Sequence, residues 1–135
     1  MKTRHIVALI AGCTLYAAAA FGETQQTVLG GYSTQAGSSF TPSPDRGRSL
    51  FAANHSASAD FPSCTKCHGS DPGASGKHAI TGKTIAPMSA RANPERFTDA
   101  AKTEKWFRRN CREVIGRECS AGEKADVLAY LIKGS

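Results

Sequence analysis

"SCTKCHGS", Ser63 to Ser70, decides the fold of this chain. Two cysteines, Cys64 and Cys67, are separated by two residues, and His68 follows at once. The pattern C-x-x-C-H is the covalent attachment signature of c-type haem, and each part has a physical reason. Thiols at i and i+3 reach the two vinyl groups along one edge of a porphyrin. The next residue then lies under the iron, where an imidazole serves as proximal ligand. The competing readings are a zinc site and a redox dithiol. A structural zinc site needs a second ligand pair at matching spacing, and Cys111 and Cys119 stand eight apart. A thioredoxin-type dithiol belongs in a βαβ context, and no such pattern surrounds Cys64.

The beginning of the chain agrees with haem c, which is attached outside the cytoplasm. "MKTRH" is a short basic segment, "IVALIAGCTLYAAAAF" is apolar and small, and the polar "GETQQ" follows. Residues 1–22 read as a secretory signal, cleaved after Ala20 or Gly22. The stretch is short for a membrane span. "IAGC", ending at Cys13, looks like a lipoprotein box, but the apolar run before it is brief. The whole sequence has 135 residues and a net charge of +6, enough for one small domain. Losing the signal removes Cys13, Lys2 and Arg4, which lowers the charge to about +4 and leaves an even four cysteines. The expected place is the periplasm, where disulfides persist. No basic run interleaved with aromatics is present, so nucleic acid is not an expected partner. A monomer is expected.

Residues 23–42 are rich in Gly, Ser, Thr and Gln and read as a flexible leader. Ser43 as N-cap and Pro44 at the first position open a helix expected to end near His55. Residues 57–76 are loop-like, and Pro94 opens a short helix. A second main helix is predicted over about 103–115, ended by Gly116. Ser120 and Glu123 form a capping box ahead of "ADVLAYLIK", which stops at Gly134. No strand is expected. The prediction is an all-α, cytochrome c-like domain over 43–135, three main helices around one covalent haem. Three helices with so much loop bury little apolar area, so the cofactor has to complete the core.

One helix raises a question of its own. In "EKWFRRNCREVIGREC", Trp106, Phe107, Asn110 and Val114 share a face, opposite Lys105, Arg108, Arg109, Arg112 and Glu113. An amide in an apolar stripe needs a partner. Two readings stand on the wheel alone: Asn110 faces the iron, or it bonds backbone near a helix end. Met88 in "TIAPMS" is the usual kind of sixth ligand for an electron carrier. It sits only twenty residues after His68, with a whole helix between it and Ser120. His55 and His78 are conceivable sixth ligands as well, but both lie in Ser/Gly-rich loops and read first as exposed surface histidines.

"DRGRSLF" and "ADVLAYLIK" resemble the first and last helices of the cytochrome c fold. The resemblance implies a close helix crossing at Gly47 beside Phe51 and Tyr130. It departs in the longer spacing from Phe51 to Cys64. The run from Ser63 to Cys119 resembles more narrowly the sphaeroides haem protein family, oxygen-binding cytochromes c whose sixth ligand is an asparagine followed directly by a disulfide-bonded cysteine. Carried over, "WFRRNC" makes Asn110 the redox-labile distal iron ligand and pairs Cys111 with Cys119, and Met88 then leaves the iron alone. Such a bridge would contribute roughly 2–3 kcal/mol by loop closure and fix the helix end that presents Asn110.

An amide oxygen is a hard donor that suits Fe(III) better than Fe(II). The bond is therefore expected to open on reduction and admit O2, NO or CO. The family implies a dihaem c-type cytochrome as electron donor, with a membrane cytochrome as the alternative. A basic face of Lys66, Lys77, Lys83, Arg108 and Arg109 suits an acidic partner. Two other functions stay open. A plain His/Met electron carrier would use Met88. A haem enzyme, such as an NO dioxygenase or peroxidase, would need a distal acid or base that is not evident.

Overall fold

The computed structural model describes residues 23–134. The signal expectation for residues 1–22, Cys13 included, lies outside the described residues. Five helices and one small ribbon are present among the described residues. They are α1 (Gln25–Ala36), α2 (Pro44–Ala52), α3 (Thr65–His68), β1 (Gly76–Lys77), β2 (Thr84–Ile85), α4 (Ala100–Val114) and α5 (Ala121–Lys133). None of these helices is long and apolar enough to cross a membrane.

The last helix, α5, is the centre of the molecule. Every residue from Ala125 to Leu131 is buried, with Leu128 and Leu131 almost wholly enclosed. Each such leucine contributes about 1.5–3 kcal/mol by leaving water. Two apolar clusters flank the helix. Val28 and Tyr32 of α1 pack on Ala125 and Leu128, while Phe51 of α2 packs on Val127, Tyr130 and Leu131. Phe97 and Phe107 touch both clusters and join them. The α2–α5 crossing is close enough that a β-carbon on Gly47 would stand 1.9 Å from the Asp126 carbonyl oxygen. Phe51 and Tyr130 meet beside it, ring centres 5.8 Å apart. Asp126 tightens the same crossing. It accepts from the Ser43 N–H at 2.7 Å and from Arg46 Nε and Nη2 at 2.7 and 2.8 Å.

Local signals set several boundaries. Ser43 caps α2 with Pro44 in its first turn, and the Ser120–Glu123 capping box opens α5. Helix α2 stops at Ala52, three residues short of His55, and α4 starts at Ala100, with Asp99 as its cap.

Three expectations are corrected. Residues 23–42 are not a flexible leader, because α1 occupies most of them. A Thr24–Thr27 capping box starts that helix, and Val28 and Tyr32, one turn apart, bury a narrow face. The absence of strands fails at β1 and β2, which pair antiparallel with Gly76 opposite Ile85. Pro94 opens no helix and sits in a run of turns.

The α5 cap carries a measurable pH dependence. Arg117 Nη1 and Nη2 donate to Glu123 at 2.8 and 2.6 Å, and the Ser120 N–H donates at 2.8 Å. These bonds, Arg117's first, hold the Glu123 carboxyl down at about 2 against an ordinary 4.5. A folded-state value below the unfolded one adds stability that is complete above pH 4.5 and disappears as pH falls toward 2. Thermal unfolding of Glu123→Gln is therefore expected to fall less steeply across that window than that of the parent. Equal slopes would show that other carboxylates carry the acid limb.

Candidate functional site

Helix α3 is a single turn that sets Cys64, Cys67 and His68 along one wall. The His68 N–H donates to the Cys64 carbonyl at 3.1 Å, and Gly69 ends the turn. Strand β1 presses on this turn from behind. A β-carbon on Gly76 would lie 2.2 Å from the Cys67 carbonyl oxygen and 2.9 Å from His68 Cα. The His68 ring sits 5.9 Å from that of Phe51, against the α2–α5 core. Burial, and then the charge of Arg96, push His68 down to about 4, so its imidazole is neutral at pH 7. Its Nδ1 is buried and finds no hydrogen-bond partner among the described residues. Burial pushes the Cys64 thiol up to about 11.

A cavity of about 540 Å³ opens between this wall and α4. Cys64, Cys67 and His68 line one part of it, and Thr103, Trp106, Phe107, Asn110 and Val114 another. A cavity of that size suits a cofactor of haem dimensions. A neutral imidazole with an unpaired buried nitrogen, beside two unbridged thiols, has the chemistry of a haem c attachment site. The residues present fit the group.

Asn110 is half-buried on α4. The next residue, Cys111, is joined to Cys119 with S–S 2.02 Å, which ties the C-terminal end of α4 to the segment before α5. The stripe on α4 is rotated slightly from the expected one. Thr103, Cys111 and Val114 are its buried residues, whereas Trp106 is 45% exposed with Arg109 over its ring at 5.8 Å. A side chain on the rim of a cavity reads as core on a helical wheel.

Met88 lines the same cavity but is fastened near the His68 wall. Its N–H donates to the Pro72 carbonyl at 2.9 Å, and its side chain packs with the Phe51–Leu131 cluster. His55 and His78, expected on the surface, are both half-buried. His55 Nε2 bonds the Leu50 carbonyl at 2.9 Å. His78 Nδ1 accepts from the N–H groups of Ile80 and Thr81, each at 3.2 Å, and its ring meets the edge of Phe61. These local bonds fold the loops over the two rings, and Ser/Gly composition gives no hint of that. Lys66, Lys77, Lys83, Arg108 and Arg109 are all exposed. Arg109 pairs with Glu113 at 3.1 Å.

Arg96 was not visible from the sequence. Its Nε and Nη2 donate to the carbonyls of Pro87 and Ala86 at 3.0 and 2.7 Å, bracing the segment that carries Met88 at the cavity wall. No periodicity marks it, because the bond is made by an irregular loop.

A family model described as a domain of unknown function (DUF1924) matches residues 37–131. The cytochrome c-type protein SHP of Cereibacter sphaeroides is 46% identical over 125 residues, covering 91% of this chain and 95% of that protein. A structure of oxidised SHP, described as an oxygen-binding cytochrome c, superposes with TM-score 0.77 over 83% of this chain and 99% of that one. Cytochrome c'' of Methylophilus methylotrophus is 44% identical over 69 residues, 51% of this chain and 48% of that protein. Its oxidised crystal structure superposes with TM-score 0.73 at 33% identity, over 82% of this chain and 94% of that one. A solution structure of the same protein, described in terms of haem-ligand detachment, gives 0.66 at 33% identity over 79% and 90%.

A helical domain closed around a C-x-x-C-H turn defines a monohaem c-type cytochrome, with haem c and its iron as cofactor. Within that class, the chain belongs to the SHP (sphaeroides haem protein) family, whose reach here spans nearly the whole sequence.

Proposed function

We propose that this chain is a periplasmic electron-transfer cytochrome whose reduced form takes up a diatomic gas, O2 or NO, at a position that Asn110 occupies in the oxidised form. Cys64 and Cys67 would hold the haem by thioether bonds, with His68 as the proximal iron ligand and Asn110 as the distal one. When bound, the haem supplies a one-electron iron couple and an exchangeable coordination position. The observation that carries this reading is the placing of Asn110 on the same 540 Å³ cavity as His68, on a separate helix.

Asn110 offers an amide oxygen, a hard donor better matched to ferric than to ferrous iron, so its side chain would release on reduction. Phe107 and Val114, one turn to either side of Asn110 on α4, line the cavity with it. Thr103 keeps its hydroxyl turned away, donating to the Asp99 carbonyl at 2.7 Å. Asp99 caps α4 by accepting from the Lys102 N–H at 2.8 Å, and Glu113 is engaged with Arg109. The oxygen binding described for SHP and the ligand detachment described for cytochrome c'' support the same reading. Export rests on residues 1–22, and the exposed lysines and arginines suit an acidic electron donor such as a dihaem c-type cytochrome.

A second reading keeps Met88 as ligand, since it too lines the cavity. Absorption spectra separate the two. The parent protein is expected to be low-spin when oxidised, high-spin when reduced without oxygen, and to shift at once with CO. Asn110→Ala is expected to be high-spin in both oxidation states. A low-spin ferrous spectrum indifferent to CO, lost in Met88→Ala rather than Asn110→Ala, would overturn the proposal.

A further inference from the structure

The helix that carries Asn110 is held at three places. At its start, the Ala100 N–H donates to Glu23 Oε2 at 2.6 Å. At its end, the disulfide binds Cys111. In its middle, Glu104 receives two partners from different helices. Tyr32 of α1 donates its hydroxyl to Glu104 Oε2 at 2.9 Å, and Lys124 of α5 donates to both carboxylate oxygens at 2.9 and 2.8 Å. Lys124 also lies 5.5 Å above the Tyr32 ring.

Tyr32 makes a second contact with α4. Its buried ring meets the edge of Phe107, centroids 5.8 Å apart. Phe107 is one turn beyond Glu104 and one turn before Asn110, and residues so spaced are side-chain neighbours on a helix. Both Phe107 and Asn110 face the cavity. One tyrosine on α1 thus grips α4 through a hydrogen bond and through the aromatic ring next to the distal amide. Burial, followed by the Glu104 carboxylate, holds the Tyr32 phenol above its ordinary range, so it remains a donor.

We infer that Tyr32 is a positioning residue for Asn110: it fixes the middle of α4 and thereby sets how firmly the distal amide holds. The inference rests on the proposed role of Asn110 and assigns to α1 a part in ligand exchange. The Tyr32→Phe variant keeps the ring and removes the Glu104 bond. Val28→Ala weakens the same apolar cluster but leaves the Tyr32–Glu104 hydrogen bond in place, so it reports what loss of packing alone does.

Three readouts on the full haem-loaded protein test it: thermal unfolding, amide hydrogen exchange along α4, and the affinity of the oxidised protein for cyanide, which must displace Asn110. Tyr32→Phe is expected to speed exchange near Glu104 to Arg108. It should raise the cyanide affinity by about three- to tenfold, the size of one hydrogen bond's net worth. Val28→Ala is expected to lower the melting temperature and leave the cyanide affinity within about twofold, since the Tyr32–Glu104 bond that holds α4 remains. In an Asn110→Ala background, Tyr32→Phe should no longer move the cyanide affinity. Equal shifts in Tyr32→Phe and Val28→Ala, or none in Tyr32→Phe while Asn110→Ala converts the oxidised spectrum, would overturn the positioning role alone. An Asn110→Ala protein with an unchanged oxidised spectrum would overturn the ligand assignment and this inference with it.

Discussion

Gly47→Ala is expected to lose a large share of the protein's stability. The added methyl would stand 1.9 Å from the Asp126 carbonyl oxygen and 2.8 Å from the Val127 amide nitrogen, both backbone atoms in the centre of α5. No side chain can rotate away, so the two helices must separate. Their separation would loosen the Phe51–Tyr130 contact and lengthen the bonds from Ser43 and Arg46 to Asp126. Overpacking costs typically about 1–3 kcal/mol when side chains absorb it, and a backbone clash at a helix crossing belongs at or beyond the upper end. Against a total stability of about 5–15 kcal/mol, that is a large fraction. Denaturant unfolding of the haem-loaded protein measures it. A midpoint within error of the parent would show that α2 and α5 can part without loss.

Gly76→Ala is expected to strike the haem turn rather than the core. Its methyl would meet the Cys67 carbonyl oxygen at 2.2 Å and the Cys67 carbonyl carbon at 3.1 Å, with His68 Cα at 2.9 Å. Either the ribbon pairing of Gly76 with Ile85 breaks, or α3 tilts and carries His68 with it. The expected cost is about 2–3 kcal/mol. The distinguishing sign is spectroscopic: an altered oxidised spectrum at temperatures where the fold is intact. Gly47→Ala should show the opposite, a normal spectrum in whatever fraction folds. If both variants lose stability alone, the ribbon does not position the haem turn.

Much of the architecture was legible because short-range chemistry fixes it. On the proposed attachment, Cys64, Cys67 and His68 have to be neighbours in sequence to grip one edge of one cofactor. Ser43 with Pro44, and Ser120 with Glu123, mark helix starts that the structure keeps. What escaped depends on contacts between distant segments. Helix α1 carries Gly30, Gly31 and few apolar residues, so nothing in its own composition marks it as ordered. It is held in place because α5 offers Ala125 and Leu128 to Val28 and Tyr32. The two-residue strands are too short for an alternation to register. At the site, the wheel placed Asn110 on the face of α4 that meets the cavity, yet put Trp106 deeper than it lies. Arg96, Tyr32 and Glu104 act through loop carbonyls and long-range pairs, which no periodicity encodes.

The Cys111–Cys119 bridge bears on how such a protein is assembled. On the proposed attachment, the four cysteines of the described residues must finish in opposite chemical states, one pair oxidised to each other and the other kept as thiols until the porphyrin arrives. Four thiols allow three pairings, and two of them would stitch the Cys64–Cys67 turn to the segment around α4. The eight-residue separation of Cys111 and Cys119 makes their own ring the cheaper of the closures that involve either of them. Maturation is thereby biased toward products in which the haem-binding thiols are free or paired only with each other, a state that one reductant step returns to readiness.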